Sequence, residues 1–405
     1  MKYSKIFEKG LFCLLGSFIL LVFSTGMATP VIASEIEIKI GASFDITGLY
    51  ADVGMVRAYQ DYIKWVNDHG GLEDLNGKKC ILKLVWQDAQ SNVAKGMAAY
   101  KDFKSKGCVV MYFSSTGQNY ALKARAKKDK IPFVSQLVTN VVFEGKDSWV
   151  HTGTGFRQNA VGIIDGVKKI WKEKRPPIIG FMGWDNLIGQ DPFPYGIAYA
   201  KEMGFKVGPV VWFSPKALDV TPQLRELHNG KCDYVCLAIA GGQEAMVIKN
   251  KYHLGFQDMK FLSFGASATA GWATIKKMEP KVVNGDYNYS PFCLESDDTP
   301  GVKRIIEIQK RYHNGEVMID HWGDYTFGHL TAYVTVSAIE RAIKKVPADK
   351  LTGADLKKYG LEGLNVDPLG ISLSLSYADY EGDKQSTGGG RLCLKKDRKM
   401  IPVTP

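Results

Sequence analysis

Long hydrophobic runs are almost absent from this 405-residue chain. The one segment apolar enough to enter a bilayer, Gly10 to Phe23, is shorter than the roughly 20 residues a spanning helix needs. That excludes a polytopic membrane protein. Cysteine is scarce, with 7 residues, which excludes a disulfide scaffold. No low-complexity tract, collagen-like period or sustained heptad occurs, so a disordered, fibrous or coiled-coil protein is excluded too. The formal charge of +10 is spread along the chain with no Lys/Arg block longer than three residues, and nucleic acid is not an expected partner. Catalytic signatures are also missing: no His-Glu-x-x-His, no Walker loop, no Gly-x-Gly-x-x-Gly after a strand. Gly265-Ala-Ser-Ala-Thr269 lacks the second glycine of a nucleophile elbow. His321 and His329 stand without a ligand pattern and read as structural, and Asp185 and Asp191 read as a solvated turn. Neither an enzyme nor a cofactor or metal is expected.

What is present begins with an address. Lys2, Lys5 and Lys9 precede the short apolar run, and small residues follow at Ser24–Ala28 and Val31–Ser34. This is the layout of a secretory signal peptide over residues 1–34. Cys13 lies inside the run, which argues against a lipid anchor. The six later cysteines, Cys80, Cys108, Cys232, Cys236, Cys293 and Cys393, are expected to be buried thiols. Cys232 and Cys236 are four residues apart in a strand-like run, about 13 Å and beyond disulfide reach.

At about 45 kDa the chain exceeds a single core of roughly 250–300 residues, so two domains are expected. Ile36, Ile38 and Ile40 alternate with Glu37 and Lys39 as a first strand. A helix from about Gly54 stops at Asp68-His69-Gly70-Gly71. Strands at 80–86, 108–113 and 131–134 alternate with helices. The pattern then restarts with a helix around 160–171 and strands at 177–182, 207–213, 233–239 and 260–264. Such alternation predicts α/β architecture with parallel sheets. A last helix over 323–344 is expected to pack back on the first unit. Ligands in such folds sit at the carboxyl ends of strands, near helix N-termini. There the loops Phe113-Ser-Ser-Thr-Gly117 and Ser135–Asn140 offer hydroxyls suited to a carboxylate, although the same residues serve as ordinary helix caps.

Several stretches together resemble the periplasmic solute-binding proteins of the leucine/isoleucine/valine-binding family, which serve branched-chain amino-acid ABC transporters. They are Ile40-Gly41 with Thr47-Gly48 and Gly54, Val66–Gly71, Trp86–Ser91, Phe113–Thr116, Ile131-Pro132, Asp185 to Gly189, Tyr195-Gly196 and Leu254-Gly255. Their order and spacing, over residues 36–400, carry the resemblance. It implies two Rossmann-like lobes (periplasmic binding protein type I) joined by three crossings near residues 152–156, 284–290 and 370–380. Lobe 1 would be 35–154 plus 286–370, and lobe 2 would be 155–285 plus 371–405. It further implies a periplasmic monomer that closes like a hinge on a small-molecule ligand and delivers it to a membrane permease.

Carried over by position, Ser115 and Thr139 would hold the ligand carboxylate, and Leu137 would offer its carbonyl to an ammonium group. Phe113 would supply main-chain or wall contacts, and Val53 occupies a family aromatic position. Lobe 2 departs from the family: Ile188 and Ala240 fall at aromatic positions, and Gly265 falls where the family has its acidic residue. No Asp or Glu lies between Asp258 and Glu279. Burying an ammonium without a counter-charge costs several kcal/mol. The ligand is therefore expected to be an amino acid if Asp45, Asp185 or Asp286 supplies that charge, and otherwise a related small carboxylate. The alternative role is a ligand-sensing module that presents a small aromatic or aliphatic carboxylate or amide to a membrane receptor.

Overall fold

The chain's structure, a computed structural model, describes residues 35–48, 51, 53–135, 139–142, 149–151, 155–265, 271–372, 375–376 and 390–404. The expected signal peptide lies outside them. The isoleucine alternation opens β1 (Ile36–Phe44), and from Ile40 onward every residue of that strand is buried. A strand covered on both faces has that pattern. The first half continues with α1 (Val53–Asp68), β2 (Leu72–Glu73), β3 (Lys79–Asp88), α2 (Val93–Ser105), β4 (Val110–Phe113), α3 (Thr116–Asp129), β5 (Phe133–Ser135) and β6 (Trp149–His151). The second half holds α4 (Phe156–Ile170), β7 (Ile178–Trp184), α5 (Leu187–Gln190), α6 (Phe193–Glu202), β8 (Lys206–Phe213), α7 (Thr221–Asn229), β9 (Tyr234–Ala238), α8 (Gln243–His253), β10 (Lys260–Ser263), α9 (Trp272–Ile275), α10 (Pro280–Val283) and β11 (Tyr287–Ser290). Then come α11 (Pro300–Tyr312), α12 (Trp322–Ile343), the strand pair β12 (Asn365–Val366) and β13 (Leu375–Ser376), and finally β14 (Arg391–Lys396) and β15 (Lys399–Pro402).

Two sheets result. The first runs β2-β3-β1-β4-β5-β6, and the second runs β15-β14-β11-β10-β9-β7-β8. Without β2, β14 and β15, which pair antiparallel, both have the same parallel order 2-1-3-4-5. In each, the order reverses beside the first strand, at β1/β4 and at β7/β9, and that reversal point is where α/β sheets leave a crevice.

Side chains of β4 show how the first sheet is covered. Val110 and Tyr112 belong to the core beneath α1, α11 and α12, whereas Met111 and Phe113 join Phe103, Phe133 and Leu122 beneath α2 and α3. The period of 2 thus sends alternate residues into two cores. As expected, α12 lies on the first half, against α1, where Tyr59 and Thr335 share a 3.0 Å hydroxyl contact. The second sheet has its own core, built around Phe181, Val235, Leu237, Phe261 and Ile163.

One strand was not expected from the sequence. Tyr287–Ser290, which the sequence reading gave to a crossing and to lobe 1, is a strand of the second sheet, paired with β10 and β14. Phe292 and Cys293 are already in the first half's core. The segment Tyr-Asn-Tyr-Ser has no aliphatic alternation to mark it as a strand. All six expected thiols are free and buried. Burial pushes Cys108 up to about 11, and Cys232, Cys293 and Cys393 up to about 12.

Candidate functional site

The loops leaving β1, β4 and β5 are tied into one platform. Ser115 is extended at the N-cap of α3, and its Oγ accepts the Gln118 N–H at 3.3 Å. Asn119, one turn into the helix, donates to the Phe113 and Ser115 carbonyls at 2.8 and 2.9 Å, and its Oδ1 accepts from Ser135 Oγ at 2.7 Å. One buried amide therefore fixes the ends of β4 and β5 against the helix start. The Thr139 N–H lies 3.4 Å from Thr116 Oγ1, while the fully buried Thr139 Oγ1 has no hydrogen-bond partner among the described residues. A buried hydroxyl left unmatched costs free energy, and a ligand oxygen removes that cost.

Asp45 lies on the other side of the same helix start. Its N–H donates to Ser114 Oγ at 3.1 Å, and its Oδ1 accepts from the Ser91 N–H at 2.8 Å and Gln118 Nε2 at 3.3 Å. Its Oδ2 is buried and unpartnered, and no basic side chain pairs with it among the described residues. Burial raises its pKa to about 6 against the lowering effect of those hydrogen bonds and of the Ser91 side chain. The other two acids considered are committed elsewhere. Asp286 is paired with buried Lys251 and accepts the Phe261 N–H at 2.9 Å, and exposed Asp185 accepts from Gln190 at 2.6 Å.

Of the positions carried over from the family, Ser115 and Thr139 are buried at the ends of adjacent strands' loops, linked through Thr116. Leu137 lies outside the described residues. The Phe113 ring packs in the core, stacked on Phe133 with centroids 4.8 Å apart, so only its main chain remains near the loop. Half-exposed Val53 opens α1. In the second half Ile188 is on α5, capped by Asn186 Oδ1 at 2.9 Å, and its side chain belongs to the core. Gly189 beside it has to be glycine, since a Cβ there would be 2.2 Å from the Trp184 carbonyl oxygen. Ala240, partly buried, follows β9, and the Gly265 N–H donates to Asn159 Oδ1 at 2.8 Å. These three mark the loops after β7, β9 and β10, at and beside the second reversal point.

Asp191 is not a solvated turn. Its carboxylate accepts from Arg157 Nε at 3.0 Å and Nη2 at 2.5 Å, with 7% of the Asp side chain and 19% of the Arg side chain exposed. Sequence reasoning named Asp45 among three acids that could supply a counter-charge, but it missed Asn119, Asn140 and this ion pair. The one signal available was the asparagine four residues after Ser115, a spacing that returns a side chain to the cap. No cluster of His, Cys, Asp and Glu among the described residues could hold a metal ion. His329 is fully buried, edge-on to Tyr62, and burial keeps its pKa well below the usual value.

Two sheets of one strand order, with hydroxyl-rich loops at the first reversal point, make a two-sheet α/β protein with a candidate crevice. The chain belongs to the periplasmic binding protein family, whose model matches residues 37–383. That family is made of solute-binding proteins. No curated protein matches the chain. Solved structures share the type I fold. A branched-chain amino-acid ABC transporter protein from Thermus thermophilus with bound valine is 21% identical, covering 91% of this chain and 96% of that one with a TM-score of 0.79. A fatty-acid ABC transporter substrate-binding protein from Thermomonospora curvata is 21% identical, covering 91% of each chain with a TM-score of 0.76. A solute-binding protein from R. palustris in complex with 4-hydroxybenzoate is 19% identical, covering 91% and 96% with a TM-score of 0.74.

Proposed function

We propose that this chain is the extracytoplasmic ligand-capturing component of an ABC importer of the branched-chain amino-acid type. In this reading it holds an amino acid or related small carboxylate between its two sheet-centred halves and delivers it to a membrane permease. The unmatched, buried Thr139 hydroxyl beside the α3 start carries the proposal. Together with the Ser115 hydroxyl and the helix-start N–H groups it offers what a carboxylate needs. The solved relatives bind valine or 4-hydroxybenzoate, and both of those ligands carry a carboxylate.

Asp45 favours a ligand that also carries an ammonium group. A buried carboxylate without a cation is costly, and an ammonium within reach of Oδ2 relieves that cost from the first half, whereas in the second half Gly265 stands at the position where the family has its acid. The test is a thermal-shift panel on refolded, ligand-free protein with leucine, valine and phenylalanine, their des-amino acids, and benzoate. A ligand at 100 times its dissociation constant adds about 2.7 kcal/mol. Stabilisation by the amino acids alone supports both parts of the reading. Stabilisation by the des-amino acids or benzoate keeps the carboxylate site and removes Asp45's role. No stabilisation by any carboxylate defeats the proposal.

A further inference from the structure

Asn140 directly follows Thr139 and begins the helical turn Asn140–Val142. Its position in the chain is in the first half, yet its bonds go to the second. The backbone N–H donates to Asp191 Oδ2 at 3.0 Å, Oδ1 accepts the Arg157 N–H at 3.0 Å, and Nδ2 donates to Gln158 Oε1 at 3.0 Å. The helix α4 has no side-chain cap of its own, because Gly155 occupies the N-cap. Asn140 thus caps a helix of the opposite half, matching one of the amides a helix start leaves open. Gly155 makes room for it: a Cβ there would be 2.6 Å from Asn140 Oδ1.

The partners are themselves anchored. Asp191 is gripped by Arg157 from two nitrogens, and the Arg157 guanidinium lies 4.3 Å from the Tyr195 ring centroid. Asp191 ends α5, the helix that carries Ile188. The residue after Thr139 is therefore bonded both to the helix holding a second-half site position and to the start of α4.

We propose that Asn140 is a positioning residue for ligand capture, locking the Thr139 loop to the Arg157–Asp191 pair in the closed placement of the two halves. The inference rests on the ligand reading above. Bonds to a shielded ion pair are strong, and all three join the halves in the placement the structure shows. A ligand that steadies the Thr139 loop favours that placement, and by linkage the placement tightens the hold on the ligand.

The test compares the full chain with Asn140→Ala, Asp191→Asn and the double variant. Stopped-flow measurements would use whichever of leucine, valine, phenylalanine or benzoate stabilises the wild type. Each single change should speed dissociation roughly ten- to hundredfold, with the association rate nearly unchanged. The double variant should be no worse than the worse single, because the bonds act as one unit. Asp191→Asn keeps side-chain shape and guards against a folding defect in the alanine variant. Unchanged dissociation in both singles, or fully additive losses, overturns the inference. If the wild type binds none of the four, the functional reading fails, and small-angle scattering of ligand-free protein decides the latch alone. There Asn140→Ala should raise the radius of gyration, and identical curves overturn it.

Discussion

The two halves share a strand order, but the helix-start platform of the first and the sheet end of the second handle buried charge in opposite ways. In the second, Lys395 lies 2.5 Å from Glu244 and 3.1 Å from Ser263 Oγ, and Lys251 is paired with Asp286 while donating to the Met259 carbonyl. All four charged side chains are essentially inaccessible to water. They tie β14, α8, β10 and the start of β11 together, so the C-terminal strand is attached through charge as well as through its backbone ladder. In the first half the platform around Ser115 and Thr139 is held by neutral amides and hydroxyls, and its one buried carboxylate, Asp45, has no basic partner among the described residues. The difference teaches a division of labour: the two lysine–carboxylate pairs of the second half compensate one another internally, and the first half's platform leaves the Thr139 hydroxyl and one Asp45 oxygen unmatched at the place proposed for the ligand.

The largest effect should come from breaking that internal compensation. Lys395→Met strands Glu244 in the core and should cost about 3–5 kcal/mol of unfolding free energy, whereas the double change with Glu244→Leu should recover much of the loss. Urea unfolding of the three proteins checks it. A double variant as unstable as the single would mean that the pair is not a closed unit.

Next come the first half's open groups. Thr139→Val keeps the side-chain shape and removes the hydroxyl, so it should weaken carboxylate binding by about 1–3 kcal/mol with little change in stability. Ser115→Ala should weaken binding similarly but also cost about 1 kcal/mol of stability, because Ser115 caps α3. Calorimetric titration beside thermal melts separates the two.

Asp45 gives a pH signature. Its folded pKa is raised to about 6 from 3.8, so the folded state holds the proton more tightly than the unfolded chain. Its effect favours folding at low pH and is lost as pH rises from about 4 to about 6. Asp45→Asn should therefore be more stable than wild type above pH 6, by about 3 kcal/mol, and similar to it near pH 4. Melts over that range with no pH-dependent gap would show that Asp45 is better solvated than its burial implies.

The smallest effect concerns the cysteines, whose raised pKa values predict that the six beyond Cys13 stay unreactive in the native protein at neutral pH and all titrate after unfolding without reductant. Two or fewer reacting then would point to disulfides.

Much of this fold was legible in the chain. β1 and α1 announce themselves by period, α12 by length and apolar content, and the restart near residue 160 by repetition of the same strand-helix rhythm. Tyr287–Ser290 was not legible as a strand, since two tyrosines and an asparagine carry no strand pattern. At the site, the hydroxyl loops were visible because serine and threonine before a helix have a local reason to be there. Asn140 was invisible because its partners are 17 and 51 residues away and the space it fills depends on Gly155 having no side chain. The Lys395–Glu244 pair spans 151 residues, which no local pattern can report.

Everything proposed for the site depends on a ligand carboxylate being held from the first half. The most direct measurement is calorimetric titration of ligand-free wild type and Thr139→Val with leucine, 4-methylpentanoate, benzoate and leucinamide. The account predicts that at least one carboxylate binds, that leucinamide binds far more weakly than leucine, and that Thr139→Val loses roughly tenfold or more in affinity. Equal binding of leucinamide and leucine, or undiminished affinity in Thr139→Val, would contradict it.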